Sequence, residues 1–277
     1  MTTVSGGGGL NLATYEAGNS DAPAIMFIHG FTGSHLTWQR QFSGPLAEEF
    51  HLVAFDIRGH GASDKPLGME HYTDPALWAA DLAAVIEAKN LSRPVLVGWS
   101  YGGYIISDYV RTFGDKAIGG LVFVGSSTKN GTEEAMGFLT EEVLAVFEDV
   151  LASDLQRSID ATRALTRMFA DPPGGGAWEI AYGSAMMVPL AVRLAMFSRV
   201  LDNDDVLAGM RVPTLVIHGT GDRIVRLRAG EHTAERVPGA VLRTYDGVGH
   251  APFLETPERF NRDLADFVRS ARRDLPH

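Results

Sequence analysis

The sequence contains no cysteine among its 277 residues. Disulfide bonds, thiolate-ligated zinc, iron–sulfur clusters and cysteine nucleophiles are therefore excluded. It also has no uninterrupted apolar run near the roughly 20 residues that a membrane-spanning helix needs. Positive charge is scarce, because 24 Lys and Arg stand against 34 Asp and Glu and give a net charge of −10. A nucleic-acid-binding protein that works through a basic surface is consequently not expected.

The beginning of the chain lacks the basic and apolar segments of a secretory signal, so we expect a cytoplasmic protein. Apolar residues make up 45% of the chain, which is enough for one large core. The glycine run at residues 6–9 is not interpreted as a phosphate loop, because no helical pattern begins directly after it. No cofactor and no metal are implied by the sequence.

Short apolar runs rich in β-branched residues alternate with helical patterns along most of the chain. Runs of this length that are apolar on both faces predict buried parallel strands. Two of the helical patterns begin with a capping residue followed by proline, at Asp74-Pro75 and Thr256-Pro257. The alternation predicts a parallel sheet covered by helices on both faces. The predicted strands are Ala24–Ile28, His51–Phe55, 95–97, 121–124, 214–217 and Val241–Tyr245.

Residues 128–205 interrupt this alternation, because they show helical patterns and no predicted strand. We therefore expect a core of residues 1–127 and 206–277 with a helical insertion at 128–205. A proline- and glycine-rich run at 171–176 is expected to break the insertion near its middle. The insertion carries 13 acidic and 6 basic residues, a net charge of −7, and its acidic run at 202–205 is expected to be a solvated loop.

The segment 98–102, Gly-Trp-Ser-Tyr-Gly, follows a predicted strand and precedes a predicted helix. A G-x-S-x-G pattern in this context predicts a sharp turn that lifts Ser100 out of the backbone as a nucleophile. The helix that begins behind it would supply amide hydrogens and positive potential to a developing oxyanion. The alternative is a serine that merely occupies a strand–helix turn.

A serine nucleophile needs a base, and the base needs an acid that orients it. His250 follows the last predicted strand, and Asp222 lies just past the strand 214–217. Loops at the carboxyl ends of parallel strands line one crevice, so we expect Ser100, Asp222 and His250 to meet there. The alternatives are a loop histidine bonded to the backbone and an aspartate that only forms a turn.

The loop after the strand Ala24–Ile28 supplies a further element of the expected site. The backbone N–H of Phe31 is expected to pair with that of Tyr101 to form an oxyanion hole. Trp99, next to the nucleophile, is a candidate substrate-binding residue. His29 and His60 are interpreted as structural residues that shape turns near the site.

These motifs and their order resemble the α/β-hydrolase superfamily, specifically its serine hydrolases with a helical cap. The resemblance implies the α/β-hydrolase fold with the insertion as the cap. The motif around Ser100 is also similar to that of the cofactor-free haloperoxidase or perhydrolase group and of related esterases and lactonases. Tyr101 departs from that group, which usually carries a smaller residue there. The matching segments are 29–31, 56–64, 98–103, 218–222 and 249–252.

We therefore expect a serine hydrolase that cleaves carboxylic esters of small to medium apolar substrates through an acyl-enzyme intermediate, without a cofactor. A lactonase, a C–C bond hydrolase and a perhydrolase or haloperoxidase remain alternatives that would use the same triad. A ligand-sensing or scaffold protein with little turnover is an alternative of another class. The expected partner is a small apolar ester, and the sequence leaves its acyl and alcohol parts and the oligomeric state open.

Overall fold

The computed structural model describes residues 1–170 and 176–273. The predicted proline- and glycine-rich break lies outside these residues, apart from its last position, Gly176. The strands of the described part are β1 (Thr2–Ser5), β2 (Asn11–Ala17), β3 (Ala24–Ile28), β4 (His51–Phe55), β5 (Val95–Trp99), β6 (Gly120–Val124), β7 (Lys129–Asn130), β8 (Leu201–Asp202), β9 (Thr214–Gly219) and β10 (Val241–Tyr245).

Eight of these strands form one sheet in the order β1-β2-β4-β3-β5-β6-β9-β10. The six predicted strands are all present and pair with one another in parallel. Only the pairs β1–β2 and β2–β4, at one edge, are antiparallel. Every residue of β3, β4, β5, β6 and β9 is buried, as expected for strands that are covered on both faces. The predicted fold class is confirmed.

Helices connect the strands and cover the sheet. Two short 3₁₀ segments, Gly7–Gly9 and His35–Trp38, accompany them. The helices of the described residues are α1 (Gln39–Phe42), α2 (Leu46–Glu49), α3 (Glu70–Thr73), α4 (Pro75–Ala88), α5 (Gly102–Phe113), α6 (Glu133–Gly137), α7 (Glu141–Val150), α8 (Leu155–Arg167), α9 (Ala177–Met186), α10 (Leu190–Phe197), α11 (Asp204–Gly209), α12 (Leu227–Arg236), α13 (Pro252–Glu255) and α14 (Pro257–Arg273).

Local sequence explains where the two proline-initiated helices begin. Pro75 is the first residue of α4, and the side chain of Asp74 accepts a hydrogen bond from the N–H of Ala76. Pro257 is the first residue of α14, as predicted. Within the described ranges, no single helix is long and apolar enough to cross a membrane, although the sharply bent pair α9 and α10 passes that test by length and composition alone.

The inserted segment differs from its prediction in two ways. It contains two strands, β7 and β8, which pair antiparallel where the segment leaves and rejoins the main sheet region. Two-residue strands show no periodicity, so the pattern could not reveal them. The expected solvated loop at 202–205 is also wrong, because Asp202 belongs to β8 and Asp204 and Asp205 open α11. Acidic residues in a first helical turn are favoured by the helix dipole.

Candidate functional site

Ser100 lies in a strained turn between β5 and α5. Its φ angle is +52°, a left-handed conformation that is uncommon for residues other than glycine. The turn is also crowded, since a Cβ added to Gly98 would lie 2.7 Å from the backbone of Gly102. The strand–turn–helix context predicted for Ser100 is therefore present, and it leaves this side chain partly exposed at the end of a buried strand.

His250 and Asp222 form a buried pair. Nδ1 of His250 lies 2.7 Å from Oδ2 of Asp222, and each side chain is about 1% exposed. The other carboxylate oxygen accepts the backbone N–H groups of Ile224 and Val225, at 2.8 and 2.9 Å. Burial alone would raise the pKa of Asp222, but the neighbouring His250 and His218 hold it well below its usual range. An ionised Asp222 favours the imidazole tautomer that has its proton on Nδ1 and a free electron pair on Nε2.

A second histidine, His218, adjoins the same carboxylate, and sequence reasoning assigned it no role. Its Nε2 donates to the carbonyl of Val225 at 2.9 Å and lies 3.3 Å from Oδ2 of Asp222. Burial would lower the pKa of His218, but Asp222 outweighs that effect and the pKa is raised. The only signal in the sequence for this contact was the spacing His218-x-x-x-Asp222 after a buried strand. Residues at this spacing lie side by side in a helix, but the turn between these two residues is not helical, so the spacing was uninformative.

Ser100 and His250 both line one cavity of about 210 Å³. The candidate binding residue Trp99 also lines it and donates its indole N–H to the carbonyl of His250 at 2.9 Å. Trp99 therefore contributes to holding the His250 loop against the strand that carries Ser100. The apolar side chains around the cavity include Phe31, Leu139, Val143, Leu144, Phe147, Leu165, Phe169, Phe197, Ile224 and Val225.

The loop that contains Phe31 packs directly against Ser100. A Cβ added to Gly30 would lie 2.9 Å from the Cβ of Ser100, so only glycine allows this approach. The backbone N–H groups of Phe31 and Tyr101 have no hydrogen-bond partner among the described residues. Two unpaired donors thus adjoin the nucleophile candidate, and a developing negative charge is the partner that suits them.

The histidines interpreted as structural hold this loop in place. Nε2 of His60 accepts the N–H of Thr32 at 3.2 Å, and Thr32 itself has a φ of +60°. Nε2 of His29 accepts the N–H of Ile57 at 3.1 Å. Burial lowers the pKa of His29 to about 4 and that of His60 to about 3, so both rings are neutral acceptors at neutral pH.

The charged groups near the cavity are largely neutralised by one another. Lys129 lines the cavity, but its ammonium is buried and paired with Glu134 at 2.7 Å, Asp202 at 3.2 Å and Asp204 at 2.9 Å. Burial opposes the charge on Lys129, yet the three carboxylates raise its pKa. No group of His, Asp or Glu that could hold a metal ion is found in residues 1–170 and 176–273.

Comparison with known proteins agrees with this architecture. A family model described as the alpha/beta hydrolase fold matches residues 23–257. The chain is 31% identical to a non-heme chloroperoxidase of Streptomyces lividans, over 98% of this chain and 100% of that protein. The structure superposes on a putative aryl esterase from Burkholderia cenocepacia with a TM-score of 0.88 and 37% identity. It superposes on the esterase RhEst1 from Rhodococcus sp. ECU1013 with a TM-score of 0.92 and 33% identity.

These structural matches each cover 98% of both chains, so the likeness extends over the inserted segment as well as the sheet. The resemblance stated from the motifs is confirmed by the match of the family model. With its sheet order, its serine turn and its relatives, the chain belongs to the α/β-hydrolase family.

Proposed function

We propose that this protein is a serine hydrolase that cleaves carboxylic esters of small to medium apolar substrates. The observation that carries the proposal is the common cavity lined by the strained Ser100 and by His250, which is paired with the buried Asp222. Cavities with apolar walls and a few convergent polar groups are typical of small-molecule sites. The names of the similar structures, an aryl esterase and an esterase, favour the same reaction class.

In this proposal Ser100 attacks the ester carbonyl carbon while Nε2 of His250 takes the hydroxyl proton. The carbonyl oxygen becomes an oxyanion that accepts the N–H groups of Phe31 and Tyr101. His250 then returns the proton to the alkoxide leaving group, which departs as the alcohol and leaves an acyl-enzyme. Water, activated by the same imidazole, releases the acid and restores Ser100. Asp222 keeps the imidazole in its tautomer throughout.

We also propose that residues 128–205 act as a cap over a core of residues 1–127 and 206–277. Both parts contribute walls to the cavity: Phe31 and Trp99 come from the core, and Phe147 and Phe197 from the insertion. A cap of this kind would exclude water from the acyl-enzyme and shape the substrate. A cytoplasmic location remains a prediction from the sequence.

The cavity favours neutral substrates. Its walls are mainly apolar and aromatic, and its one lysine, Lys129, is already paired with three carboxylates. The net charge of −7 on the insertion would repel an approaching anion. Trp99 and Phe169, which meet edge to face at 5.2 Å beside His250, offer an apolar surface to the leaving group.

A second candidate function is perhydrolysis or haloperoxidation on the same triad. It is favoured by the similarity to the non-heme chloroperoxidase. Lactone and C–C bond hydrolysis would also use Ser100, His250 and Asp222. Assays of purified protein with an ester, a lactone and a carboxylic acid with hydrogen peroxide would separate ester hydrolysis, lactone hydrolysis and perhydrolysis. A protein that only senses a ligand would turn over none of them.

The proposal is tested by covalent labelling of the nucleophile. A phosphonate or sulfonyl fluoride is expected to add once, with the modified peptide containing Ser100, and to abolish turnover of p-nitrophenyl acetate. Ser100→Ala is expected to take up no label, whereas Ser127→Ala, which alters another serine of the same cavity, is expected to be labelled like wild type. Labelling at Ser126 or Ser127 in the wild type would refute the assignment.

A further inference from the structure

The side chain of Tyr101 connects the residue after the nucleophile to the far end of the inserted segment. Its hydroxyl donates to the carbonyl of Met196, in α10, at 3.1 Å. The same hydroxyl accepts a hydrogen bond from Arg199, just beyond α10, at 3.2 Å. All three residues are buried. The residue that presents an unpaired N–H beside Ser100 is therefore bonded to the insertion through its side chain.

Arg199 is itself fixed to the helix that begins behind the nucleophile. One of its guanidinium nitrogens donates to both carboxylate oxygens of Asp108, in α5, at 2.6 and 2.8 Å, and each side chain is about 1% exposed. A buried charge that loses its partner is costly, so this pair holds its geometry tightly. Asp108, Arg199 and Tyr101 thus form one chain of hydrogen bonds between α5 and the insertion.

The aromatic contacts around this chain of hydrogen bonds reach the side chains of both residues that are proposed as oxyanion donors. Phe197 meets the ring of Tyr101 at 5.9 Å and the ring of Phe31 at 4.7 Å, both edge to face. On the other side, Trp78 lies 5.7 Å from the Tyr101 ring and 5.6 Å from the guanidinium of Arg199. The end of α10 therefore touches the side chains of both residues whose N–H groups adjoin Ser100.

We infer that Tyr101 is a positioning residue that couples the seating of the inserted segment to the alignment of the oxyanion hole. The inference rests on the proposed function, because it assigns the Tyr101 N–H to the oxyanion. When Met196 and Arg199 occupy the positions described above, their hydrogen bonds to the hydroxyl hold the side chain of Tyr101 in place. They thereby also hold the turn that carries the N–H of Tyr101. When the two residues are displaced, the N–H loses its alignment with the reacting carbonyl.

The expected size of the effect follows from the geometry of oxyanion donors. Such donors act within about 2.7–3.1 Å of the oxyanion, and removing one lowers turnover about 10²–10³-fold. A misaligned donor retains part of this effect, so we expect a loss of about tenfold. The rival explanation is that the hydrogen bonds of Tyr101, Arg199 and Asp108 only stabilise the fold. That explanation predicts lower stability with an unchanged kcat.

The test deletes one oxygen at two matched tyrosines. Tyr101→Phe removes the hydroxyl bonded to Met196 and Arg199. Tyr72→Phe removes a hydroxyl that donates to the carbonyl of Pro66 at 2.8 Å, from a buried ring that also packs on Trp78. Tyr72 is not among the residues that line the cavity. Tyr101→Phe removes two hydrogen bonds and Tyr72→Phe removes one, each at a buried tyrosine, but only Tyr101→Phe alters the proposed coupling.

The readouts are kcat and KM for p-nitrophenyl acetate, affinity for a trifluoromethyl ketone, and the urea midpoint. Tyr101→Phe is expected to lower kcat and the ketone affinity each about tenfold, with KM changed less than twofold. The ketone adduct carries an oxyanion, so its affinity reports the donor directly. Tyr72→Phe is expected to keep the wild-type kcat with a lower urea midpoint. A wild-type kcat and ketone affinity in Tyr101→Phe would overturn the inference.

Arg199→Lys provides a second, independent variant. It keeps the charge beside Asp108 but cannot make the same set of directed bonds, so we expect the same loss of kcat as in Tyr101→Phe. The double variant is expected to lose no more kcat than either single variant, because both substitutions act through the same chain of hydrogen bonds. Fully additive losses would overturn the coupling. Wild-type turnover that survives Ser100→Ala would refute the proposed function instead, so the two failures are distinguishable.

Discussion

At the scale of single residues, Asp222 has the most heavily constrained side chain of the candidate site. Its two carboxylate oxygens face His250, two backbone N–H groups and, at 3.3 Å, His218. These contacts leave it ionised and fixed in orientation despite full burial. In the proposed mechanism, a buried carboxylate with so many donors stabilises one imidazole tautomer and the imidazolium that forms during attack.

Replacing Asp222 by Asn is therefore expected to lower kcat by about 10⁴, the loss seen for the equivalent change in a serine protease triad. The amide keeps the shape but favours the wrong tautomer of His250. The matched control is Asp246→Asn, which alters an exposed carboxylate that accepts from Thr220 in the neighbouring loops. Steady-state kinetics with p-nitrophenyl acetate measure kcat for both variants. An active Asp222→Asn beside an inactive Asp246→Asn would contradict the assignment.

At the scale of secondary-structure elements, one buried arginine joins the helices of the insertion. Arg193, in α10, donates to the carbonyl of Val188 at 3.0 Å, that of Ala185 at 2.6 Å and the hydroxyl of Thr162, in α8, at 3.0 Å. Burial lowers its pKa. Among the described residues it has no carboxylate partner, so backbone and hydroxyl oxygens alone compensate its charge.

Arg193→Met is expected to loosen the packing of α8, α9 and α10 while the sheet remains folded. The change removes hydrogen-bond donors from oxygen atoms of the insertion, at a cost of about 1–3 kcal/mol for each buried group that is left unpaired. Limited proteolysis should then cut within the insertion much faster than in wild type. Arg163→Met is the control, since Arg163 lies half exposed on α8, with an i,i+3 partner at 3.6 Å and its guanidinium 5.7 Å from the ring centre of Tyr182. Equal cleavage rates in the two variants would contradict this role.

At the scale of the whole molecule, stability should depend on pH through two buried histidines. The folded protein holds the pKa of His29 at about 4 and that of His60 at about 3. In an unfolded chain both histidines have the ordinary pKa of about 6.5. Between these limits the unfolded chain binds more protons than the folded protein. The free energy of unfolding therefore falls as the pH drops from 7 towards 4.

The expected loss is about 3 kcal/mol for each histidine between pH 7 and pH 4, since one pKa unit is worth about 1.4 kcal/mol. Urea unfolding at pH 7.0, 5.5 and 4.5 measures it. His60→Gln is expected to show a flatter dependence than wild type because its side chain does not titrate. His71→Gln, at a partly exposed position in α3, serves as the control. An identical slope in wild type and His60→Gln would refute the explanation.

The charge of the whole molecule should also influence which substrates reach the cavity. We expect a higher kcat/KM for a methyl-ester substrate than for a matched substrate that bears a free carboxylate, because the insertion has a net charge of −7. The difference should narrow as salt is added, since ions screen exposed charges beyond about 10 Å at 0.1 M. Equal rates at low ionic strength, or a faster anion, would show that this charge does not influence entry.

The sequence by itself determined the fold class and the strands of the parallel sheet. Buried parallel strands are continuous apolar runs, and proline with a capping residue marks helix starts, so both signals lie within a few neighbouring residues. The turn at Ser100 could be predicted for the same reason, because glycine at 98 and 102 is a local requirement of its geometry. The positions of His250 and Asp222 after strands followed from topology, since such loops share one edge of the sheet.

Only the tertiary structure decided which distant residues meet. The pairing of β7 with β8, the hydrogen bonds of Arg193 to Ser158 and Thr162 in α8, and the hydrogen bonds that link Tyr101, Arg199 and Asp108 join residues that are far apart in sequence. His218 reaches Asp222 only because the turn between them folds back. None of these contacts produces a periodic pattern, because each depends on how complete elements pack against one another. Packing of elements, rather than local residue preference, is what connects the insertion to the turn that carries Ser100.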